Sequence, residues 1–409
     1  MVSLSPFSRL VWSNLAAQSA EQVALAAAPL VAVLALHAGV GGTGFLQMLQ
    51  TLPFLLLSLP LGLLADRGSR RRLMAGAEAL RAISLVAILL LLALDHLSLP
   101  LLAILGFAGA AGTVAYGVAA PSLIPALVAR DRLATANARI ELARTIAFAG
   151  GPALAGALVG WTGGTPAFAL AAALSAIAVA LLARLREPAR PALSRRHPLH
   201  DLREGARFTF RHPLLLPVFL TQLVFNTAFF VLQAVYVPYA VASLGLTAAQ
   251  VGVTLACYGA GMVVGALAAP RIVARLPFGL VIATGPVAGV IAACVMLATI
   301  WLPSPLLAGA SFFLIGAGPI LWVIGTVTLR QSVVPAGMLG RVSAIFATAT
   351  GARPIGAAIG AAVGGTFGAE TALAVAAAGF LLQAAIILAS PVLPLARQPE
   401  PVDGEKCLG

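Results

Sequence analysis

Gly62-Leu63-Leu64-Ala65-Asp66-Arg67-Gly68-Ser69-Arg70-Arg71-Arg72 decides how the rest of the chain is read. It puts one acid and four arginines into eleven residues, directly between two long apolar runs. In the whole chain of 409 residues, 60% are hydrophobic and only 9% are charged, and the mean hydropathy is +1.01. Soluble domains carry about 25% charged residues. So few charges cannot make a soluble surface. The cluster is therefore a wet connection between two helices that lie in lipid.

Working outward, twelve apolar stretches are long enough to cross a bilayer, given about 20 residues per crossing. They lie at roughly 10–36, 44–64, 73–94, 101–121, 138–160, 166–185, 214–240, 248–269, 278–301, 305–328, 341–363 and 370–391. Turn-forming residues separate several of them: His37 to Thr43, Asp95 to Pro100, Thr162 to Pro166 and Pro303 to Pro305. The basic residues test this map. Arg9 precedes span 1, and Arg67, Arg70, Arg71 and Arg72 follow span 2. Arg130, Arg132 and Arg139 follow span 4, and eight arginines lie between spans 6 and 7. Arg271 and Arg275 follow span 8, Arg330 and Arg341 follow span 10, and Arg397 and Lys406 follow span 12. Thus 22 of the 25 basic residues fall on one side, and the loops of the opposite side hold none. By the positive-inside rule that side is cytoplasmic, with both termini on it, in a plasma membrane of the bacterial inner-membrane type.

The expected fold is an all-α membrane protein of twelve transmembrane helices in two pseudo-symmetric six-helix halves. Residues 1–185 form the first half and 214–391 the second. Residues 186–213 form a cytoplasmic central loop, and 392–409 a cytoplasmic tail. In the central loop Leu199, Leu202, Ala206 and Phe210 recur at helical spacing opposite Arg203, Arg207 and Arg211, which predicts an amphipathic helix on the cytoplasmic leaflet. The halves read as a repeat. Arg139 precedes Pro152 by 13 residues and Arg341 precedes Pro354 by 13, so the pairs are offset by 202; Gly62 and Gly265 are 203 apart. Paired halves of this kind rock about a central site.

Several function classes fall away. The formal charge of +12 suggests nucleic acid, but the topogenic use of arginine accounts for it. Cys257, Cys294 and Cys407 have no disulfide or metal spacing, and the five histidines form no ligand cluster. There is no phosphate-binding loop of the Walker type and no catalytic constellation for a membrane enzyme such as a lipid acyltransferase. The first apolar stretch reads as a span and not a signal peptide.

The opening stretch resembles the signature loop of the major facilitator superfamily: Gly62, three residues, Asp66-Arg67, then a glycine and the basic residues Arg70 and Arg71. Gly68 comes one place early, and Ser69 takes the usual glycine place. A degenerate second copy, Gly265-Ala266-Leu267-Ala268-Ala269-Pro270-Arg271, has lost the acid. Three further pieces look most like the exporter branch that includes the enterobactin exporter and macrolide-efflux-like proteins. They are Pro121-Ser122-Leu123-Ile124-Pro125, Arg130-Asp131-Arg132-Leu133-Ala134-Thr135-Ala136-Asn137 and Gly151-Pro152-Ala153-Leu154-Ala155-Gly156. The last resembles the Gly-Pro antiporter motif of span 5, with Ala147 and Ala155 in place of two glycines. The resemblance implies a carrier in which the loop acid locks the outward-facing form by pairing with a neighbouring helix end. Asp66 suits the start of span 11, with Arg341. It also implies export driven by proton entry, although Gly151, Gly156 and Gly160 equally allow plain close packing. Gly356, Gly360 and Gly364 on span 11 form a similar small-residue seam.

Polar residues inside the spans are the candidate site, since each is costly there unless it faces water or a partner. Asn14, Gln18, Glu21 and Gln22 form one stripe on span 1; Gln222, Asn226 and Gln233, with Phe229, form another on the equivalent span 7. Facing each other, they predict a substrate cavity. Glu21 is the acid nearest mid-membrane and the candidate for proton coupling. Arg353 lies deep in span 11 with no acid near it in sequence, so pairing with Glu21 or attraction of an anionic substrate is expected. Glu78 with Arg81 and Glu141 with Arg144 read as self-neutralised pairs. The expected activity is proton-coupled efflux of small amphipathic molecules (drug, siderophore or metabolite) by alternating access. Import or facilitated passage of a polar metabolite is the alternative. The expected partners are the substrate and the bilayer, with no nucleic acid; the expected working unit is a monomer with no bound cofactor, energised by the proton gradient.

Overall fold

The computed structural model describes residues 5–129, 132–185, 187, 198–335 and 338–399. The described residues form helices and connections, without strands. The first half contains α1 (Pro6–Leu34), α2 (Val40–Leu56), α3 (Ser58–Arg67), α4 (Arg70–Ala93), α5 (Leu99–Leu127), α6 (Leu133–Thr162) and α7 (Gly164–Ala183). A connecting helix α8 (Pro198–Arg211) follows. The second half contains α9 (Leu215–Ala242), α10 (Ala248–Arg275), α11 (Phe278–Ala298), α12 (Pro305–Val333), α13 (Leu339–Thr348), α14 (Ala352–Phe367) and α15 (Ala369–Leu388).

Among the described residues, eleven helical segments are long and apolar enough to cross a membrane, counting α13 with α14 as one. The twelfth crossing is α2 continued by α3, divided at Leu57. Pro60 accompanies the break, since it has no N–H to give the Leu56 carbonyl. The path of α13 and α14 is divided in the same way by a 3-10 turn at Ala349–Gly351, where Pro354 has no N–H for Thr350. Both breaks lie ten residues from the arginine-bearing end, since α3 and α13 are each 10 residues long. They also touch: a Cβ on Gly351 would lie 2.8 Å from Leu55 Cδ1.

Long apolar side chains cover the outside, as a lipid-facing surface requires. Trp161 and Trp301 are 80% and 76% exposed at the face opposite the arginines, where amphipathic rings sit at the membrane–water boundary. The halves share turn geometry. Gly163, between α6 and α7, has φ 81°, and Gly368, between α14 and α15, has φ 89°. Only glycine adopts this conformation without strain.

Within the first half α1 packs on α6 and α7, and α4 on α5 and α7. Within the second, α12 packs on α10 and α11, and α9 on α14 and α15. The halves meet along α6 with α10 and α2 with α14. These meetings are closest on the side away from the arginines. A Cβ on Gly156 would come within 2.7 Å of Gly252 Cα, and one on Gly44 within 2.5 Å of Ala361 Cα. Thr43 Oγ1 also donates to the Ala234 carbonyl at 3.2 Å there. The α6–α10 approach continues to Ala149 against Gly259, about midway; beyond it Gly261 and Gly265 turn to α12 instead. Glu141 and Arg144, nearer the arginine face on α6, are 55% and 41% exposed. The halves thus touch on the far face and part toward the arginine face.

The seam of Gly356, Gly360 and Gly364 serves close packing: added Cβ atoms at Gly356 and Gly360 would strike Thr227 and Val231 of α9, in the same half, and one at Gly364 would strike Val235 of α9 and, across the halves, Val40 of α2. The expected leaflet helix α8 turns part of its apolar side to protein. Leu202 and Ala206 of the stripe, with Phe208, pack on a core cluster of the second half, and a Cβ on Gly205 would lie 2.7 Å from the Arg341 carbonyl oxygen. Phe210 of the stripe stays 47% exposed, with its ring edge-on to Phe219 at 5.4 Å. Leu199 of that stripe has no described side chain.

Candidate functional site

A cavity of about 310 Å³ lies where the two halves face each other. Its first-half wall carries most of the polar and charged groups, with Phe54, Phe148 and Phe168 beside them. Glu21 and Gln22 come from α1, and Gln47, Gln50 and Thr51 from α2. Arg81 and Ser84 come from α4, Thr113 from α5, and Arg144 from α6. Its second-half wall is aromatic: Phe225, Phe229 and Phe230 from α9, Tyr258 from α10 and Phe312 from α12. Asn226, Gln233 and Arg353 are the polar groups on that side.

A buried ion network underlies the first wall. Arg81 Nη1 donates to Glu78 Oε1 at 2.6 Å and to the Ala17 carbonyl at 3.2 Å. Its Nη2 donates to Thr113 Oγ1 at 2.5 Å and lies 3.8 Å from Glu21 Oε2. Ser175 Oγ donates to the second oxygen of Glu78 at 3.2 Å. Glu78 is 0% exposed, so these bonds replace its hydration. Glu21 is therefore the second carboxylate on one guanidinium, and the only one of the two that lines the cavity.

Arg353 sits across the cavity, just past the 3-10 turn. Its Nε donates to Asn226 Oδ1 at 3.3 Å. Its guanidinium lies over the rings of Phe54, at 4.8 Å, and Phe230, at 5.4 Å. The expected Arg353–Glu21 pair is thus absent among the described residues; Arg81 has taken Glu21. Glu141 and Arg144 pair at 2.6 Å, as their spacing predicts.

The polar stripes divide. Glu21, Gln22, Asn226, Phe229 and Gln233 line the cavity; Asn14, Gln18 and Gln222 do not. Asn14 Nδ2 donates to the Ile140 carbonyl at 3.3 Å, tying α1 to α6. Gln222 Nε2 donates to the Phe346 carbonyl at 3.4 Å, tying α9 to α13. The reading of the sequence missed span 2, although Gln47, Gln50, Thr51 and Phe54 recur at i, i+3, i+4 and i+7. The aromatic wall carries no such signal, because a phenylalanine in an apolar helix has no contrast with its neighbours.

With fold and cavity in place, the family follows. Residues 10–352 match the family model described as Major Facilitator Superfamily. The chain belongs to the Major Facilitator Superfamily. It is 30% identical over 315 residues to the enterobactin exporter EntS of Citrobacter koseri, covering 75% of this chain and 72% of that protein. It is 28% identical over 313 residues to the enterobactin exporter EntS of Escherichia coli O1:K1 / APEC, with the same coverage of 75% and 72%. Among solved structures it resembles a bacterial homologue of the iron transporter ferroportin in an inward-facing state, with TM-score 0.74 at 16% identity over 94% of this chain and 98% of that one. This superfamily and these relatives are transporters, and the chain is a multi-pass membrane transporter rather than an enzyme.

The superfamily's signature loop is held from the end of α7. Glu187 accepts from Ser69 Oγ at 2.5 Å and from the backbone N–H groups of Arg70 and Arg71 at 3.2 Å each, capping α4. Burial alone would push this carboxyl up, but these hydrogen bonds outweigh it and hold it below its ordinary value. Arg71 Nη1 donates to the Ala183 carbonyl at 2.9 Å, and Arg9 Nη1 to that of Arg184 at 2.6 Å. Gly62, Asp66 and Arg67 lie on α3, but their side chains fall outside the described residues, as do Arg130, Asp131 and the tail with Lys406 and Cys407. Arg341 pairs with Glu204 of α8 at 2.5 Å. In the helix-5 motif, Gly151 lets α6 approach Gln22 of α1, and Gly156 meets Gly252 across the halves. Pro152 lines the cavity.

Proposed function

We propose that the chain exports small amphipathic molecules across a bacterial inner membrane by alternating access, with proton entry as the driving step. The observation that carries this reading is the cavity between the halves. It is shut toward the far face and approachable from the arginine face, with one carboxylate, Glu21, on its wall. In this reading the arginine face and both termini are cytoplasmic. Substrate enters from there, the α6–α10 and α2–α14 contacts open, and the halves rock. Arg81 holds Glu21 when the carboxylate is charged, and a proton arriving from the far side releases it. Asp66 would hold the cytoplasmic ends together in the opposite state. No bound cofactor is needed, and one chain contains the whole cavity. The identity to enterobactin exporters supports export, with a siderophore among the substrates to try.

The test is a panel in proteoliposomes, including enterobactin, with and without an imposed pH gradient. Gradient-dependent accumulation is expected in the wild type. Glu21→Gln should lose gradient dependence while keeping substrate exchange at equilibrium. Accumulation that ignores the gradient in the wild type would overturn the coupling. Unaltered gradient response in Glu21→Gln would remove Glu21 from it.

A further inference from the structure

Three arginines line the cavity, and two of them are answered by carboxylates: Arg81 by Glu78 and Arg144 by Glu141, each at 2.6 Å. Arg353 has no carboxylate within ion-pair distance among the described residues. It is nonetheless held in place by Asn226 and by two rings. Its Nε is used, and its two Nη groups have no protein acceptor among the described residues. A guanidinium steadied in this way, with its outer nitrogens open to a cavity, is built for an anionic oxygen pair.

Beside it the aromatic wall is a run of ring contacts. Phe225 and Phe229 are parallel within 8° at 5.8 Å, and Phe229 and Tyr258 lie within 25° at 5.7 Å. All three line the cavity. A flat ring entering the cavity meets aromatic surface there. The third observation is independent of both. Gln50 is 5% exposed and lines the same cavity, and its Oε1 has no hydrogen-bond partner. A buried carbonyl oxygen without a donor is costly. Gln50 lies one helical turn before Phe54, whose ring lies under Arg353.

We propose, building on the carrier reading above, that the cavity binds a planar aromatic anion that also bears a hydrogen-bond donor, as a hydroxyaryl carboxylate does. Arg353 takes the anionic group, Phe225, Phe229 and Tyr258 take the ring, and Gln50 Oε1 accepts from the donor. An aromatic cation is disfavoured, because Arg353 repels it and Glu21 is already engaged by Arg81 at 3.8 Å.

The test uses the purified full chain in detergent and equilibrium dialysis with labelled 6-hydroxy-2-naphthoate, 2-naphthoate and 2-naphthylmethylammonium. The hydroxylated acid should bind most tightly and the amine most weakly. Arg353→Gln should weaken both acids by about tenfold or more, with part of the loss restored in Arg353→Lys. Gln50→Leu should cost about fivefold for the hydroxylated acid alone, and Phe229→Leu about threefold for both acids. If Arg353→Gln is not monodisperse, the Gln50→Leu and Phe229→Leu pair decides. Unchanged affinity in the folded variants, no binding of either acid, or a preference for the amine overturns the proposal. Binding without transport in proteoliposomes would break the carrier reading and leave this one standing. Transport of other substrates without naphthoate binding would do the reverse.

Discussion

The two walls of the cavity come from duplicated halves, yet they solve opposite problems. The first half surrounds its charges with each other: Glu78, Arg81 and Glu21 share one network, with Ser175 and Thr113 completing it. The second half offers one cation, Arg353, which sits over its own Phe230 and over Phe54 of the first half. A self-neutralised wall is rigid and costly to disturb, whereas a wall of rings with one open guanidinium is free to adapt to what enters. The two halves share a frame, including the positive-φ turns at Gly163 and Gly368, while their linings differ.

The contrast can be broken most forcefully at Arg81. Arg81→Ala strands Glu78, which is 0% exposed, and should lower stability by about 3–5 kcal/mol in thermal unfolding of the detergent-solubilised protein. Arg353→Gln, on the adaptable wall, should leave the melting temperature nearly unchanged; equal losses would erase the distinction. Next is the seam joining the walls. Gly156→Leu places a side chain where Gly252 Cα stands 2.7 Å from a Cβ. Transport should fall by about tenfold or more, since the far face cannot then shut. Gly160→Ala meets its nearest neighbour at 3.5 Å and should be carried normally. The smallest expected effect lies at the rim of the first half. Glu187→Gln weakens the α4 cap by about 1 kcal/mol. The folded carboxyl sits below its ordinary value of 4.5, so the stabilisation is complete above that pH and fades as the pH falls below it. Unfolding measured from pH 7 down to 3 should show wild type and variant converging at the acid end.

The crossings were legible because hydropathy and arginine placement are imposed by lipid, residue by residue. The breaks were not. Pro286 sits inside an unbroken α11 and Pro319 inside an unbroken α12, while Pro60 and Pro354 accompany interruptions. Sequence marks all four alike, and packing decides which path bends. The site was half legible for a related reason. Periodicity assigned Asn14 and Glu21 to one face of α1, but a 29-residue helix meets different neighbours along its length. Near its arginine end that face meets α6 at Ile140, and deeper it meets the cavity. Arg353 stands out in the sequence as a deep arginine without a nearby acid, but its neighbours Asn226, Phe54 and Phe230 do not, because distances across a cavity leave no trace in residue spacing.

The paired interruptions at Leu57 and at Ala349–Gly351 carry one more implication. Peptide groups excused from regular helical bonding cannot be shown to hydrocarbon. Both discontinuities therefore have to remain within protein or within reach of water throughout the working cycle. In the proposed cycle that argues against any excursion that rolls α2 or α14 outward to the acyl chains, and for a tilting motion about a protected core.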